Sequence, residues 1–133
     1  MAKLILGASA CIWRGGQVLL IKRGKPPGKG LWSLPGGKIE LGETALAAAR
    51  RELFEETQVR ADLLHAMGPF EVNHGATVIY AITCFAGLYV SGEAIASSDA
   101  AEVALVYPEA LANLKLAPNI MQAIVDAQKL LQL

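Results

Sequence analysis

The stretch that decides the fold runs Gly37-Lys-Ile-Glu40-Leu-Gly-Glu43-Thr44-Ala-Leu-Ala-Ala-Ala-Arg50-Arg51-Glu52-Leu53-Phe54-Glu55-Glu56-Thr57-Gln58-Val59. It opens on the glycine-rich turn Pro35-Gly36-Gly37, whose glycines allow close backbone approach to a ligand, and continues as a helix. Thr44 suits the N-cap, and Ala45 to Thr57 is built almost wholly from alanine, leucine, arginine and glutamate, all strong helix formers. On that helix Glu52, Glu55 and Glu56 fall within an arc of about 100°. Like charges at these spacings destabilise a helix by roughly 0.2–0.5 kcal/mol per pair. A divalent cation with oxygen ligands would offset the repulsion, and Mg²⁺ characteristically takes carboxylates while keeping water and phosphate oxygens. Leu46, Ala49 and Leu53 form the core-facing side. Ala45 and Ala48 lie on the carboxylate side and leave room for a ligand or a loop. Arg51 precedes Glu55 by four residues, an ion-pair spacing.

Outward from this stretch, the composition is that of one folded domain over residues 1–133. Apolar residues make up 53%, too many for a disordered chain. Twelve basic residues balance twelve acidic ones, so no field draws nucleic acid or an anionic membrane. Zero net charge eases self-association and leaves room for a homodimer. The start lacks a signal-peptide pattern, and no run reads as a membrane helix. Cys11 and Cys84 sit in apolar runs and are expected as buried reduced thiols, in keeping with the cytoplasm.

Before the helix, Leu4 to Trp13 and Gln17 to Arg23 read as strands joined at Arg14-Gly15-Gly16. Gly24 to Gly30 is a basic, proline-stiffened loop, suited equally to a surface connection and to one wall of an anion site. Leu31 to Leu34 is a short extended segment. After the helix, Val59 to Leu64 and Ala66 to Val72 read as strands broken at Gly68-Pro69. Ala76 to Val90 reads as a central strand, Ser91 to Ala101 as a polar loop carrying Glu93 and Asp99, and Glu102 to Tyr107 as another strand. Short and final helices are expected over Pro108–Leu114 and Pro118–Leu131, the latter with Ile120, Ile124, Ala127 and Leu131 on one face. The sum is a mixed α/β fold, a sheet with helices packed on it.

With glycine, five residues, glutamate, seven residues and Arg51-Glu52-Leu53-Phe54-Glu55-Glu56-Thr57-Gln58-Val59, the stretch resembles the Nudix box. It departs at one position: Gln58 stands where the family has glycine. A left-handed residue ending the helix would explain that glycine, and glutamine there costs on the order of 1 kcal/mol. The resemblance implies the Nudix α/β/α sandwich with a mixed sheet and a pyrophosphohydrolase acting on a nucleoside diphosphate derivative. It implies Mg²⁺ or Mn²⁺ held by Glu52, Glu55, Glu56 and the Gly36 carbonyl, with Gly37 at the substrate. It gives Glu43 and Arg51 the task of orienting the loop and the metal-binding glutamates.

The base that takes a proton from water is open between Glu52, Glu55 and a loop acid. Asp99 is preferred over Glu102 and Glu93 for its distance before the following strand. Arg23 suits a phosphate or base, and equally a surface charge. Trp32 suits stacking on a nucleobase, though a large aromatic more often belongs to the core. Asn119 stands where some MutT-type members read a base, but fits better as a residue near a helix cap. Two substrate classes compete. Lys25-Pro26-Pro27-Gly28, the run Trp32 to Gly37, and Asp99-Ala-Ala-Glu102-Val103 resemble ADP-ribose pyrophosphatases. Arg23, Asn119 and the small size fit a MutT-type hydrolase of oxidised nucleoside triphosphates. Loss of a box carboxylate would point to a non-catalytic nucleotide-binding module, and all three carboxylates are present.

Overall fold

The alternation of apolar side chains along the first two strands builds two cores at once. In the computed structural model, which describes residues 2–75 and 77–133, β1 (Lys3–Arg14) and β2 (Gln17–Arg23) meet antiparallel at the expected turn. Ala10, Ile12 and Leu19 face one side of the sheet. Cys11, Trp13, Val18 and Leu20 face the other. Because successive strand residues point to opposite faces, strands buried on both sides need apolar residues at every position, as these have.

The first face is covered by α1 (Ala45–Thr57), through Leu53 and the following Val59. The second is covered by α2 (Ile120–Leu131), through Ala123, Ile124 and Ala127, with Ile120 and Leu131 packed at the margin. This is the expected α/β/α sandwich. Ile12, Leu19, Leu53 and Ile124 are fully buried, each contributing about 1.5–3 kcal/mol through apolar area removed from water.

Seven strands form the sheet among the described residues. The remaining five are β3 (Trp32–Ser33), β4 (Gly36–Lys38), β5 (Arg60–His74), β6 (Val78–Ser91) and β7 (Ala100–Val106). The main order is β3-β2-β1-β6-β5, with β4 against β1 and β7 against β2. β1 and β6 run parallel and the other pairs antiparallel, so the sheet is mixed. The expected start of the central strand, Ala76, lies outside the described residues.

Four expectations are corrected. Gly36 and Gly37 belong to a strand, β4, in register with Ser9 and Ala8, rather than to a turn. Neither has the positive φ that favours glycine; at Gly36 a Cβ would strike Ala8 and Ser9 of β1, and at Gly37 it would meet the end of the Glu52 side chain. The break at Gly68-Pro69 is a register shift inside one continuous strand, β5, since proline removes one ladder donor without ending the pairing. The short helix over Pro108–Asn113 is 3₁₀. Ala48 is fully buried with Ala8 and Ala49, so its small side chain lets α1 approach β1 and leaves no room there for a ligand. Cys11 and Cys84 are buried free thiols as expected, and burial pushes the Cys84 thiol up to about 11.

Candidate active site

The site is assembled where β4 passes under α1. Thr44 caps the helix, its hydroxyl accepting from the Ala47 amide at 3.1 Å. At the other end Gln58 takes the left-handed conformation, φ 62°, that the resemblance assigns to the box glycine. The carbonyls of Glu56 and Thr57 would otherwise lack partners. They accept from the amides of Ser97 and Ile95, each at 3.0 Å, which pins the loop 92–99 along the end of the helix.

Arg51 organises the carboxylates. Its guanidinium donates to both Glu43 oxygens, at 2.7 and 3.0 Å, to Glu52 Oε1 at 2.7 Å and to the Lys38 carbonyl at 3.0 Å. The expected pair with Glu55 is longer, 3.3 Å. Arg51 therefore fastens the loop carrying Glu43 to the row of glutamates, using the planar fork that lysine lacks. Its hydrogen bonds hold the Glu43 carboxyl below its ordinary range, with the Glu40 amide adding to the effect.

Glu56 differs from its neighbours. It is 2% exposed, with Oε1 accepting the Gly36 amide at 3.1 Å. Its Oε2 is buried without any partner. Burial first, then the adjoining Glu52 carboxyl, pushes its carboxyl up to about 8; the Gly36 amide and Arg23 oppose this. In the β1–β4 ladder, Ala10 donates to Pro35 and Ile39 to Leu6, so alternation turns the amide and carbonyl of Gly36 away from β1.

The donor set fits a hard divalent cation in its chemistry: carboxylate oxygens, one of them a buried acceptor with nothing to accept from. Among the described residues, however, no three acidic side chains gather about one point, because Glu52 and Glu55 both turn to Arg51.

The remaining candidates are dispersed. Arg23 acts on Glu56 through its charge, with its Nε donating to the Pro27 carbonyl at 2.6 Å. In the basic loop, Lys25 pairs with Asp99 at 3.1 Å, and Lys22 pairs with Glu102 at 3.2 Å. Asp99 is thus on the loop pinned to α1, and its carbonyl accepts from Gly24. Trp32 packs against the α2-side core. Asn119 is the N-cap residue of α2, but its side chain donates to the Glu71 carbonyl on β5 at 2.8 Å instead of capping. A cavity of about 480 Å³ beside Glu55, lined by Phe54, Glu55, Gln58, Ser97 and Ser98, was not legible in the sequence. Its one signal was the irregular Gln58.

A profile of the NUDIX domain matches residues 3–127. The chain belongs to the NUDIX family. This NUDIX chain is 47% identical over 53 residues to an oxidized purine nucleoside triphosphate hydrolase from Danio rerio, covering 40% of this chain and 34% of that one. It is 32% identical over 88 residues to an ADP-ribose pyrophosphatase from Methanocaldococcus jannaschii, covering 62% and 52%. These matches, with others, span only 20% to 52% of the curated relatives' lengths. The fold is that of a bifunctional NMN adenylyltransferase/ADP ribose pyrophosphatase from Francisella tularensis, solved with AMP and a manganese ion. The TM-score is 0.80 at 23% identity, over 97% of this chain and 42% of that one. Among the described residues of this NUDIX domain, no helix is long and apolar enough to cross a membrane.

Proposed function

We propose that residues 1–133 act as one NUDIX hydrolase domain, a metal-dependent pyrophosphohydrolase that cleaves the diphosphate linkage of a nucleoside diphosphate derivative such as ADP-ribose. The observation that carries this is the Glu56 carboxylate, buried beside Glu52 with Oε2 unpartnered. A buried acceptor without a donor is costly, about 1–3 kcal/mol or more for a charged group, unless a ligand completes it.

A divalent cation, Mg²⁺ or Mn²⁺, held by Glu52, Glu55, Glu56 and the Gly36 carbonyl, would neutralise the diphosphate and lower the pKa of the attacking water. The protein's own groups do the rest. Arg51 holds Glu52 and Glu55 in place through Glu43 and Lys38. The Gly36 amide fixes one oxygen of Glu56 and leaves the other free to bind. Glu52, Glu55 or Asp99 takes the proton from water, and Asp99 is favoured because its loop is tied to the end of α1. Arg23, close enough to act on Glu56, holds a phosphate oxygen, while Gly37, Trp32 and Asn119 complete the substrate-binding set. The two buried thiols are in keeping with a reducing compartment, the cytoplasm. A homodimer draws support from the zero net charge alone.

A second reading, a MutT-type hydrolase of oxidised nucleoside triphosphates, is supported by the 47% identity over 53 residues to the Danio rerio protein. The test is a substrate panel with Mg²⁺ or Mn²⁺: ADP-ribose, NADH, nucleotide sugars, and triphosphates including oxidised dGTP, ranked by kcat/KM. A leading rank for ADP-ribose or a nucleotide sugar upholds the first reading, and a leading rank for oxidised dGTP the second. No turnover of any compound, with the protein folded, leaves a binding module.

A further inference from the structure

Gly92 stands where β6 hands over to the loop that carries Asp99. Its φ is 97°, a conformation that side-chain-bearing residues rarely adopt. A Cβ built there would collide with the Gln58 carbonyl oxygen and lie 3.3 Å from the Val59 Cα. Glycine is required on both counts, and it lets the loop backbone lie against the end of α1. The Tyr89 hydroxyl donates to the Gly92 carbonyl. The Tyr89 ring is itself fixed, packed on the α1-side core with the Arg14 guanidinium 4.7 Å from its centre.

From this anchor the chain is fastened step by step as far as Asp99. Ile95 and Ser97 donate to the Thr57 and Glu56 carbonyls at 3.0 Å. Ala100 donates to the Ser97 carbonyl at 3.1 Å, closing a turn in which Ser98 has φ 55°. The Asp99 carbonyl accepts from the Gly24 amide at 2.9 Å. The Asp99 backbone is thus held from the helix end and from the basic loop at once, while its side chain stays exposed. A general base works only within hydrogen-bond reach of its proton, and a displacement of about 1 Å costs about a hundredfold in rate.

We propose that Tyr89 and Gly92 are positioning residues: they clamp loop 92–99 to the end of α1 and so set where the Asp99 carboxylate stands relative to the row of glutamates. This rests on the hydrolase reading with Asp99 as the base. Both residues act through Asp99.

The test uses Tyr89→Phe, which removes the hydroxyl and keeps the ring, and Gly92→Ala, each alone and combined with Asp99→Ala. Turnover of ADP-ribose and of oxidised dGTP is measured with Mg²⁺, and hydrogen exchange at the Ile95 and Ser97 amides is measured without metal. In wild type those amides should exchange slowly, and in Gly92→Ala about tenfold faster or more. In Tyr89→Phe kcat is expected to fall about fivefold, the effect of one neutral hydrogen bond, and in Gly92→Ala about a hundredfold, with KM within about twofold in both. Added to Asp99→Ala, either change should slow turnover by no more than about twofold, whereas residues that merely support the fold would slow both backgrounds alike. Equal slowing in both backgrounds, wild-type kcat in both single variants, or fast exchange of the wild-type amides overturns the positioning role and leaves Asp99 as the base. Wild-type turnover by Asp99→Ala, or a wild type that hydrolyses nothing, removes the reading beneath the role and the role with it.

Discussion

Gly37 lies so close to Glu52 that a Cβ built on it would fall 2.6 Å from the Glu52 carboxylate. The strand β4 therefore acts as a gauge for the helix, and the missing side chain is what lets Glu52 stand between β4 and Arg51. Gly37→Ala must push that carboxylate aside, since the obstructing atoms are the end of one side chain rather than backbone. The expected result is a folded protein with kcat/KM reduced about a hundredfold, the usual effect of misplacing a reacting group by about 1 Å. A wild-type rate in the alanine variant would show that the position of Glu52 is immaterial.

Glu55→Gln and Glu56→Gln keep the shape of the site and remove a charge. Each is expected to lower metal-dependent turnover about a hundredfold or more while circular dichroism stays native. Calorimetry with Mn²⁺ should show weakened metal binding in both. Near-normal turnover in a folded variant would falsify the metal-site assignment.

The buried Glu56 also predicts a pH dependence of stability in chelator. Its carboxyl is raised from 4.5 to about 8, so between these values the folded state holds a proton that the unfolded chain has released. Stability should therefore fall as pH rises from about 4.5 to 8 and level off above that, with a loss of at most about 5 kcal/mol. Glu56→Gln, which cannot ionise, should flatten this slope. Denaturant melts in EDTA at several pH values measure it, and an equally steep slope in the variant would assign the effect elsewhere.

Asp99→Ala is expected to slow turnover about a hundredfold, against about twofold for Glu93→Ala. Lys25→Ala serves as control, because it breaks the 3.1 Å pair with Asp99 without removing the carboxylate. An exposed pair of this kind contributes little to stability, so all three proteins should melt alike. Equal kinetic effects of the Asp99 and Glu93 changes would remove Asp99 from the mechanism.

Helix α1 was legible to the residue, because Thr44, the alanine-rich run and the glutamate spacing are all local signals. The strands β1 and β2 and the burial of Ile124 and Ala127 on α2 were legible for the same reason: periodicity survives whatever the chain packs against. Strand β4 was not. Three residues, two of them glycine, carry no strand pattern, and only their pairing with Ser9 and Ala8 defines them. Ala48 looked like an open approach to the carboxylates until β1 was found against it.

The sequence by itself determined the mixed run of strands and helices and the row of glutamates, because each depends on neighbours a few residues away; the sandwich and the left-handed helix end at Gln58 followed from the resemblance to the Nudix box. Only the tertiary structure decided which glutamate is buried, that Arg51 holds Glu43 and Glu52 together, and that Ser97 and Ser98 meet Gln58 around a cavity. Those contacts run from Glu43 to Arg51, eight positions apart, and from Gly36 to Glu56, 20 apart, and depend on how the loops fold back against α1. Burial and charge are properties of what surrounds a residue in space, and no local pattern carries them.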